Sequence, residues 1–236
     1  MKISLIIPAY NEEKYIGRCL ESVQKYATGL YEIIVINNAS TDNTSAIAQS
    51  FPGVRVIFED KKGLTKARQR GFLEAKGDVL AYIDADTYIA SSWFDIMQKE
   101  FTNHLNTASL SGPYIYYDIP RYQQYMVSLY WNVLGRIAYW ITRQMVVGGN
   151  FAIRRDVLVK MSGFDTSIEF YGEDTNIARR ARLFGKVCFN FKFVINTSGR
   201  RLLGQGLLKT ALIYVSNFLS ETIIHRPVTS KYRDIR

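Results

Sequence analysis

Two aspartates one residue apart, Asp84 and Asp86, close the apolar run Ala81-Tyr82-Ile83. On an extended chain, side chains two apart project to the same side, so both carboxylates would face one space. Held that close they repel, and a hard divalent cation shared with a phosphate-bearing ligand relieves the repulsion, since magnesium takes one or two protein carboxylates with phosphate oxygens. The plainer use of such aspartates is a turn or a helix cap. A second acidic pair, Glu173-Asp174, follows Gly172 at an expected helix start, with Ile177 and Arg180 behind it. That place suits the helix dipole, and it equally suits a general base taking a proton from an acceptor hydroxyl.

Two further stretches carry the same ambiguity. Gly63-Leu64-Thr65-Lys66-Ala67-Arg68-Gln69-Arg70-Gly71 opens a helix whose free N–H groups, with Lys66 or Arg68, could meet a diphosphate. A solvated basic face is the alternative. Gly148-Gly149-Asn150 interrupts a strand-like run. Paired glycines there admit a ligand, another backbone or a simple bulge.

The elements that must position these residues alternate. Residues 2–8 form a short β-branched run, followed by Ile16, Leu20 and Val23 at helical spacing. The pattern repeats with 32–37, a polar stretch and Ile47, then 54–58 before a helix over 64–75, then 79–83. Strands that are nearly all apolar and alternate with helices predict a parallel sheet covered on both faces. Ligands bind beyond the carboxyl ends of such strands, where residues 8–12, 37–42 and 84–86 converge. In the second half, 110–117 and 145–153 read as strands, 174–184 as a helix and 186–195 as a strand. One α/β domain over 1–201 is expected, with a nucleotide-binding half to about residue 105 and a mixed acceptor half beyond. Residues 202–236 form a helical extension.

The chain has 236 residues, 47% of them hydrophobic, and a net charge of +9. That size supports a large core, and the charge favours an anionic partner. The two cysteines, Cys19 and Cys188, lack metal-type spacing or a disulfide framework, which fits an intracellular setting. No export signal is read at the N-terminus, because Pro8 and the polar residues after it cut the apolar run short. No apolar stretch approaches the roughly 20 residues that span a bilayer.

Two amphipathic segments stand apart. Over 125–141, Met126, Leu129, Tyr130, Val133, Ile137, Trp140 and Ile141 make an apolar stripe. Residues 206–224 make another, with Arg200, Arg201 and Lys209 before or within it and Arg226 after it. Packing on the core or on a partner subunit of a homo-oligomer is one reading, and interfacial membrane binding is the other. Trp and Tyr beside cations favour the membrane surface.

Taken in order, Pro8-Ala9-Tyr10-Asn11-Glu12, the loop at 35–42, the glycine-bounded 63–71, Asp84-Ala85-Asp86, Gly148-Gly149-Asn150 and the run from Gly172 to Arg180 resemble family 2 glycosyltransferases of the GT-A fold. The resemblance implies inverting transfer of a sugar from a nucleotide-diphosphate sugar, with magnesium or manganese (Mg2+ or Mn2+) held by Asp86 and with Asp84 on ribose or metal-bound water. It places Asp174 as the base, with Glu173 orienting the acceptor or the base. Pro8, Ala9, Tyr10, Glu12, Asn38, Arg68, Ala85, Gly149, Asn150, Arg180, Arg200 and Arg201 complete the expected donor-binding set. The sequence departs from the family at Asn37 and Asn38, where two aspartates are usual. Asn38 keeps an accepting oxygen but loses charge and gains a donor. Asn196 to Arg201 stands where many members carry a metal-binding histidine, and the form is similar to that of small membrane-associated members, whose arginines grip phosphate. The expected acceptor is a lipid-linked saccharide or polyprenyl phosphate at the cytoplasmic face of the membrane.

Other classes stay in view. A nucleotidyltransferase would also use paired carboxylates and a metal, but would not need the downstream elements. A non-catalytic sugar-nucleotide or membrane-binding protein would tolerate the asparagines. The charge would also suit nucleic acid, yet no zinc or RNA-binding motif is present, and no nucleic-acid partner is expected.

Overall fold

The computed structural model describes residues 1–224 together with 228 and 229; Arg226, expected to flank the last helix, lies outside the described residues. In chain order the elements are β1 (Ile3–Ala9), α1 (Ile16–Tyr26), β2 (Glu32–Asn37), α2 (Thr44–Gln49), β3 (Val54–Phe58), α3 (Leu64–Glu74), β4 (Val79–Ile83), β5 (Thr87–Ile89) and α4 (Trp93–Asn103). The second half contains β6 (Thr107–Ser111), β7 (Tyr114–Tyr116), α5 (Arg121–Tyr130), a π-helical turn (Trp131–Gly135), α6 (Arg136–Thr142), β8 (Asn150–Arg154) and α7 (Arg155–Lys160). It ends with α8 (Glu173–Arg182), β9 (Lys186–Phe189), β10 (Ile195–Thr197), α9 (Arg200–Gln205) and α10 (Leu207–Ile223).

A seven-stranded sheet in the order β3-β2-β1-β4-β8-β6-β9 forms the centre. β1 pairs in parallel with β2 and β4, whereas β8 runs antiparallel to both its neighbours, which makes the far half mixed. Alternate residues of one strand serve opposite faces. Leu5 and Ile7 join α1 and α4 through Leu20, Val23, Trp93 and Phe101, while Ile6 joins α3 and α8 through Ala67, Phe72, Ile177 and Ala178. Each such isoleucine or leucine, fully buried, contributes about 1.5–3 kcal/mol. The sheet is therefore anchored on both sides, and its carboxyl edge is left to the polar loops.

Three strands expected from the sequence are shorter than the apolar pattern suggests. The run 110–117 breaks in two and the strand in 186–195 stops at Phe189; β7, from the first run, and β10, which begins at the end of the second, pair with each other outside the large sheet. With β5 they form a small sheet, order β5-β10-β7. The break falls at Gly112-Pro113, where a Cβ on Gly112 would collide with the Phe193 carbonyl, so only glycine lets the two chains cross there. In 145–153 only the portion from Asn150 is strand, because the chain turns through Gly148-Gly149 and the Asn150 N–H closes on the Val147 carbonyl at 2.9 Å.

The two amphipathic segments are helical, and the apolar stripe of each lies on the outer side, while Trp131, Ala138 and Tyr139 of the first pack against Met145, Val147 and Phe189. None of the large apolar residues of α5, the π-helical turn or α6 is buried. On α10 the residues against the body are Thr210, Asn217, Ser220 and Glu221, while Leu212, Leu219 and Ile223 face out. Packing of an apolar stripe on the core is thus not what docks α10. Glu221, 0% exposed, accepts hydrogen bonds from Asn176 Nδ2 at 3.1 Å and Arg179 Nη2 at 3.4 Å on α8.

Candidate active site

The first wall of the cleft is made by loops after β1, β2 and β4. The Glu12 N–H donates to Thr44 Oγ1 at 2.7 Å, the Asn11 N–H to Ser40 Oγ at 3.1 Å, and the Thr41 N–H back to Asn11 Oδ1 at 2.8 Å. Asn11 (φ 53°) and Ala39 (φ 60°) lie in the left-handed region, a local cost offset by this lacing. Pro8 and Ala9 are buried in the β1 ladder, with the Ala9 carbonyl accepting from the Asn38 N–H at 2.8 Å. Asn38 spends its side chain on the next loop: Nδ2 donates to the Glu59 and Lys61 carbonyls at 3.2 and 2.9 Å, and Oδ1 accepts from the Gly63 N–H at 2.8 Å. Aspartate could not donate these bonds. Lys62 in that loop lies over the Tyr10 ring, 3.8 Å from its centroid.

Asp84 and Asp86 sit between two arginines. Arg68, on α3 and only 1% exposed, places Nη2 3.3 Å from Asp84 Oδ1 and 2.6 Å from the Gly148 carbonyl. Its Nη1 closes on Glu173 Oε1. Arg68 is therefore a buried bracket between the two acidic pairs rather than a cation presented to solvent. The glycine pair explains itself here: a Cβ on Gly148 would meet Glu173 Oε1, and one on Gly149 would meet Asp84 Oδ2 and the Tyr114 hydroxyl. Glycines are needed so that the carboxylates can press against the backbone.

The small sheet supplies the other arginine. Thr87 pairs with Thr197, which sets Asp86 beside Ser198, whose N–H donates to the Asp86 carbonyl at 3.2 Å. Two residues on, Arg200 grips Glu12 with both nitrogens, at 3.0 and 2.6 Å, and lies 3.0 Å from Asp86 Oδ2. Burial pushes Asp86 up to about 7, with Asp84 and Glu12 acting the same way and Arg200 against them. Negative charge is thus in excess at a desolvated point. A divalent cation would relieve it, and two adjacent carboxylates match the protein share of a magnesium-type shell that phosphate oxygens and water complete. Among the described residues, no group of three or more His, Cys, Asp or Glu side chains forms a metal cage by itself.

The second acidic pair opens α8 after Gly172, whose φ of 83° favours glycine at that cap. Glu173 is pushed up to about 7 by burial, opposed by Arg68. Asp174 is half-buried and raised by desolvation, opposed by the Thr175 N–H that donates to its Oδ1 at 2.8 Å. A carboxylate of raised pKa, partly open to solvent, is suited to accept a proton.

Several expected side chains are engaged by other partners. The Asn150 side chain is buried in the core: Oδ1 accepts from Trp93 Nε1 at 2.9 Å, and Nδ2 donates to the Gly112 and Phe193 carbonyls at 3.1 and 2.7 Å. Arg180 bonds the Met161 carbonyl after α7, nearly two turns along α8 from Asp174, and does not line the cleft. The Ala85 methyl packs in the core, leaving only its backbone near the site. Arg201 stacks on Phe170, 4.4 Å from the ring centroid, and its Nη1 is 3.5 Å from the Tyr171 hydroxyl. Tyr114 escaped the sequence reading. Its hydroxyl accepts from the Gly149 N–H at 2.7 Å, and burial and then the Asp84 charge raise its phenol; no motif marks it.

The model of the family described as Glycosyl transferase family 2 matches residues 4–161. Along almost the whole chain, 99% of it, the sequence is 28% identical to an uncharacterized glycosyltransferase, YibD, of Escherichia coli K12, covering 72% of that protein. It is 31% identical over 42% of the chain to the uncharacterized glycosyltransferase EpsJ of Bacillus subtilis, of which the match spans only 30%. Among solved structures, the mannosyltransferase PcManGT of Pyrobaculum calidifontis, in complex with GDP-Man and Mn2+, superposes with a TM-score of 0.69 at 19% identity, over 95% of this chain and 63% of that one. At that identity the likeness is one of fold, the GT-A arrangement of a mostly parallel sheet continued by antiparallel strands.

Proposed function

The chain belongs to glycosyl transferase family 2, and from that premise we propose that it moves a sugar, with inversion, from a nucleotide-diphosphate sugar to an acceptor held at the membrane, a lipid-linked saccharide or polyprenyl phosphate at the cytoplasmic face. One observation carries the reading: Arg68 joins Asp84 to Glu173, which brings the D-x-D loop and the start of α8 to one cleft. Donor and acceptor can then meet between them.

Asp86, with Asp84 beside it, would hold magnesium or manganese; when bound, the cation neutralises charge that builds on the departing diphosphate. The protein's own residues do the rest. Asp174 takes the proton of the acceptor hydroxyl as that oxygen bonds the anomeric carbon, while the bond to the diphosphate oxygen breaks and its electron pair leaves with the nucleotide. Glu173, fixed by Arg68, holds the first turn of α8 and so the direction of Asp174. Arg200, at the Glu12 and Asp86 carboxylates, stands where a phosphate could draw it away. If the acceptor is an already ionised phosphate, the proton transfer drops out and Asp174 serves to orient. The GDP-Man and Mn2+ bound by PcManGT support a nucleotide-sugar donor with a metal.

The test is a thermal-shift panel of UDP-, GDP- and dTDP-sugars with and without Mn2+. One donor should stabilise the protein in a metal-dependent way, and Asp86→Ala should abolish the shift. Indifference to every donor would overturn the proposal.

A further inference from the structure

We propose that the outward faces of α5, α6 and α10 form one docking surface for an anionic lipid bilayer, with the Asp174 end of the cleft beside it. The inference deepens the reading above by naming what holds the enzyme near a membrane acceptor, and its observations do not depend on the chemistry.

The first observation is the inverted burial of α10. Its polar stripe is docked on α8 through Glu221, and the apolar stripe that would ordinarily dock is presented outward, with Leu212 71% and Ile223 73% exposed. The second helical segment docks through an aromatic side, with Trp131 and Tyr139 against Phe189, and still presents Tyr125, Leu134, Trp140 and Ile141 to solvent, Trp140 being 69% exposed. Single exposed apolar residues are ordinary, but two helices each turning their apolar stripe outward require a covering phase.

Charge identifies that phase. From 121 to 143 there is no acidic residue, and Arg121, Arg136 and Arg143 are exposed. From 207 to 224 the only acidic residue is Glu221, which is buried, while Lys209 is exposed. Every charged side chain that these segments offer to solvent is therefore cationic. A second copy of the chain in a two-fold contact would set these cations against their own kind. Anionic headgroups would neutralise them, with Trp and Tyr rings at headgroup depth. Among the described residues no helix is long and apolar enough to cross a membrane, so the helices would lie in the interface.

The surface adjoins the cleft. Burial, then the Asp174 charge, raises the phenol of Tyr130 on α5. The Tyr214 phenol on α10 is raised chiefly by burial, with Asp174 among the neighbouring charges. Geometry agrees: α10 docks on α8 through Asn176, two residues after Asp174, and α5 packs against β7, whose Tyr114 hydroxyl bonds the Gly149 N–H in the cleft.

The experiment is flotation of the full chain with vesicles of phosphatidylcholine alone or mixed with phosphatidylglycerol, at low and high salt, without donor or acceptor. The wild type should float with the anionic vesicles and be released by salt. Arg121→Gln, Arg143→Gln and Lys209→Gln should each weaken binding about fivefold. Trp140→Glu combined with Leu212→Glu should leave the protein in solution. All five side chains are exposed, so an unchanged urea midpoint is expected and shows that folding is intact. A wild type that ignores anionic vesicles, variants that float like wild type, or a solution dimer separated by Trp140→Glu and Leu212→Glu would each overturn the proposal. Because no donor is present, failure here leaves the donor thermal shift untouched, and the reverse also holds.

Discussion

The buried Arg68 places Nη2 3.3 Å from Asp84 Oδ1 at the edge of the cleft, and the same guanidinium closes on the buried Glu173. One buried cation therefore fixes the distance between two acidic pairs some ninety residues apart in sequence. Removing one member of a buried ionic set costs about 3–5 kcal/mol, because the partners are left charged and unpaired. Arg68→Met is expected to destabilise the protein by about that amount in urea unfolding. Arg68→Lys should recover only part of it, since an ammonium is a point charge and cannot span both carboxylates. An unchanged midpoint for Arg68→Met would dismiss the bracket.

Stability should also fall with rising pH around neutrality. Burial holds Glu173 at about 7 in the folded chain, against about 4.3 when unfolded. The folded state therefore binds the extra proton, and this contribution is complete below about pH 4 and lost as pH rises toward about 7. Thermal midpoints should be lower at about pH 8 than at about pH 5, and Glu173→Gln, which cannot ionise, should shrink the difference. Asp86, also raised to about 7, accounts for slope that remains in the variant.

The sequence made the frame legible because β1, β2 and β4 are largely apolar on both faces and the strands alternate with helices, a pattern that few architectures share. It located the two acidic pairs because they follow apolar strands or open a helix. The small sheet was invisible, since its strands are only three residues long and two of them continue longer apolar runs. With it went the route by which Arg200 reaches Asp86. Asn150 misled for a related reason: next to two glycines it resembles a ligand-binding amide, and only the fold shows Trp93 and two carbonyls using it. The helical period of 206–224 was readable, but which stripe faces inward depends on Asn176 and Arg179, far away in sequence.

For the proposed base, Asp174→Asn keeps the shape and the bond from the Thr175 N–H while removing the proton acceptor. With a hydroxyl acceptor, turnover should fall by about 10²–10⁴, and donor-induced thermal stabilisation should stay as in the wild type. A loss below about tenfold would assign the acceptor oxygen as already ionised.

Glu221 gives the sharpest test of how α10 is attached. Replacing a whole buried ionic set by apolar residues is often neutral or stabilising, whereas removing one member leaves its partners unpaired. Here the facing groups are Asn176 Nδ2 and Arg179 Nη2, which leucine cannot accept from. Glu221→Leu is therefore expected to weaken docking by about 1–3 kcal/mol, the cost of leaving such donors unsatisfied. The loss should appear as faster amide exchange and easier proteolysis within Leu207–Ile223, while the β1 and β4 amides keep their protection. Glu221→Gln retains an accepting oxygen and should lie between Glu221→Leu and the wild type. If Glu221→Leu instead protected α10 better than the wild type, the helix would be docking by its apolar side, and the inverted orientation would be wrong.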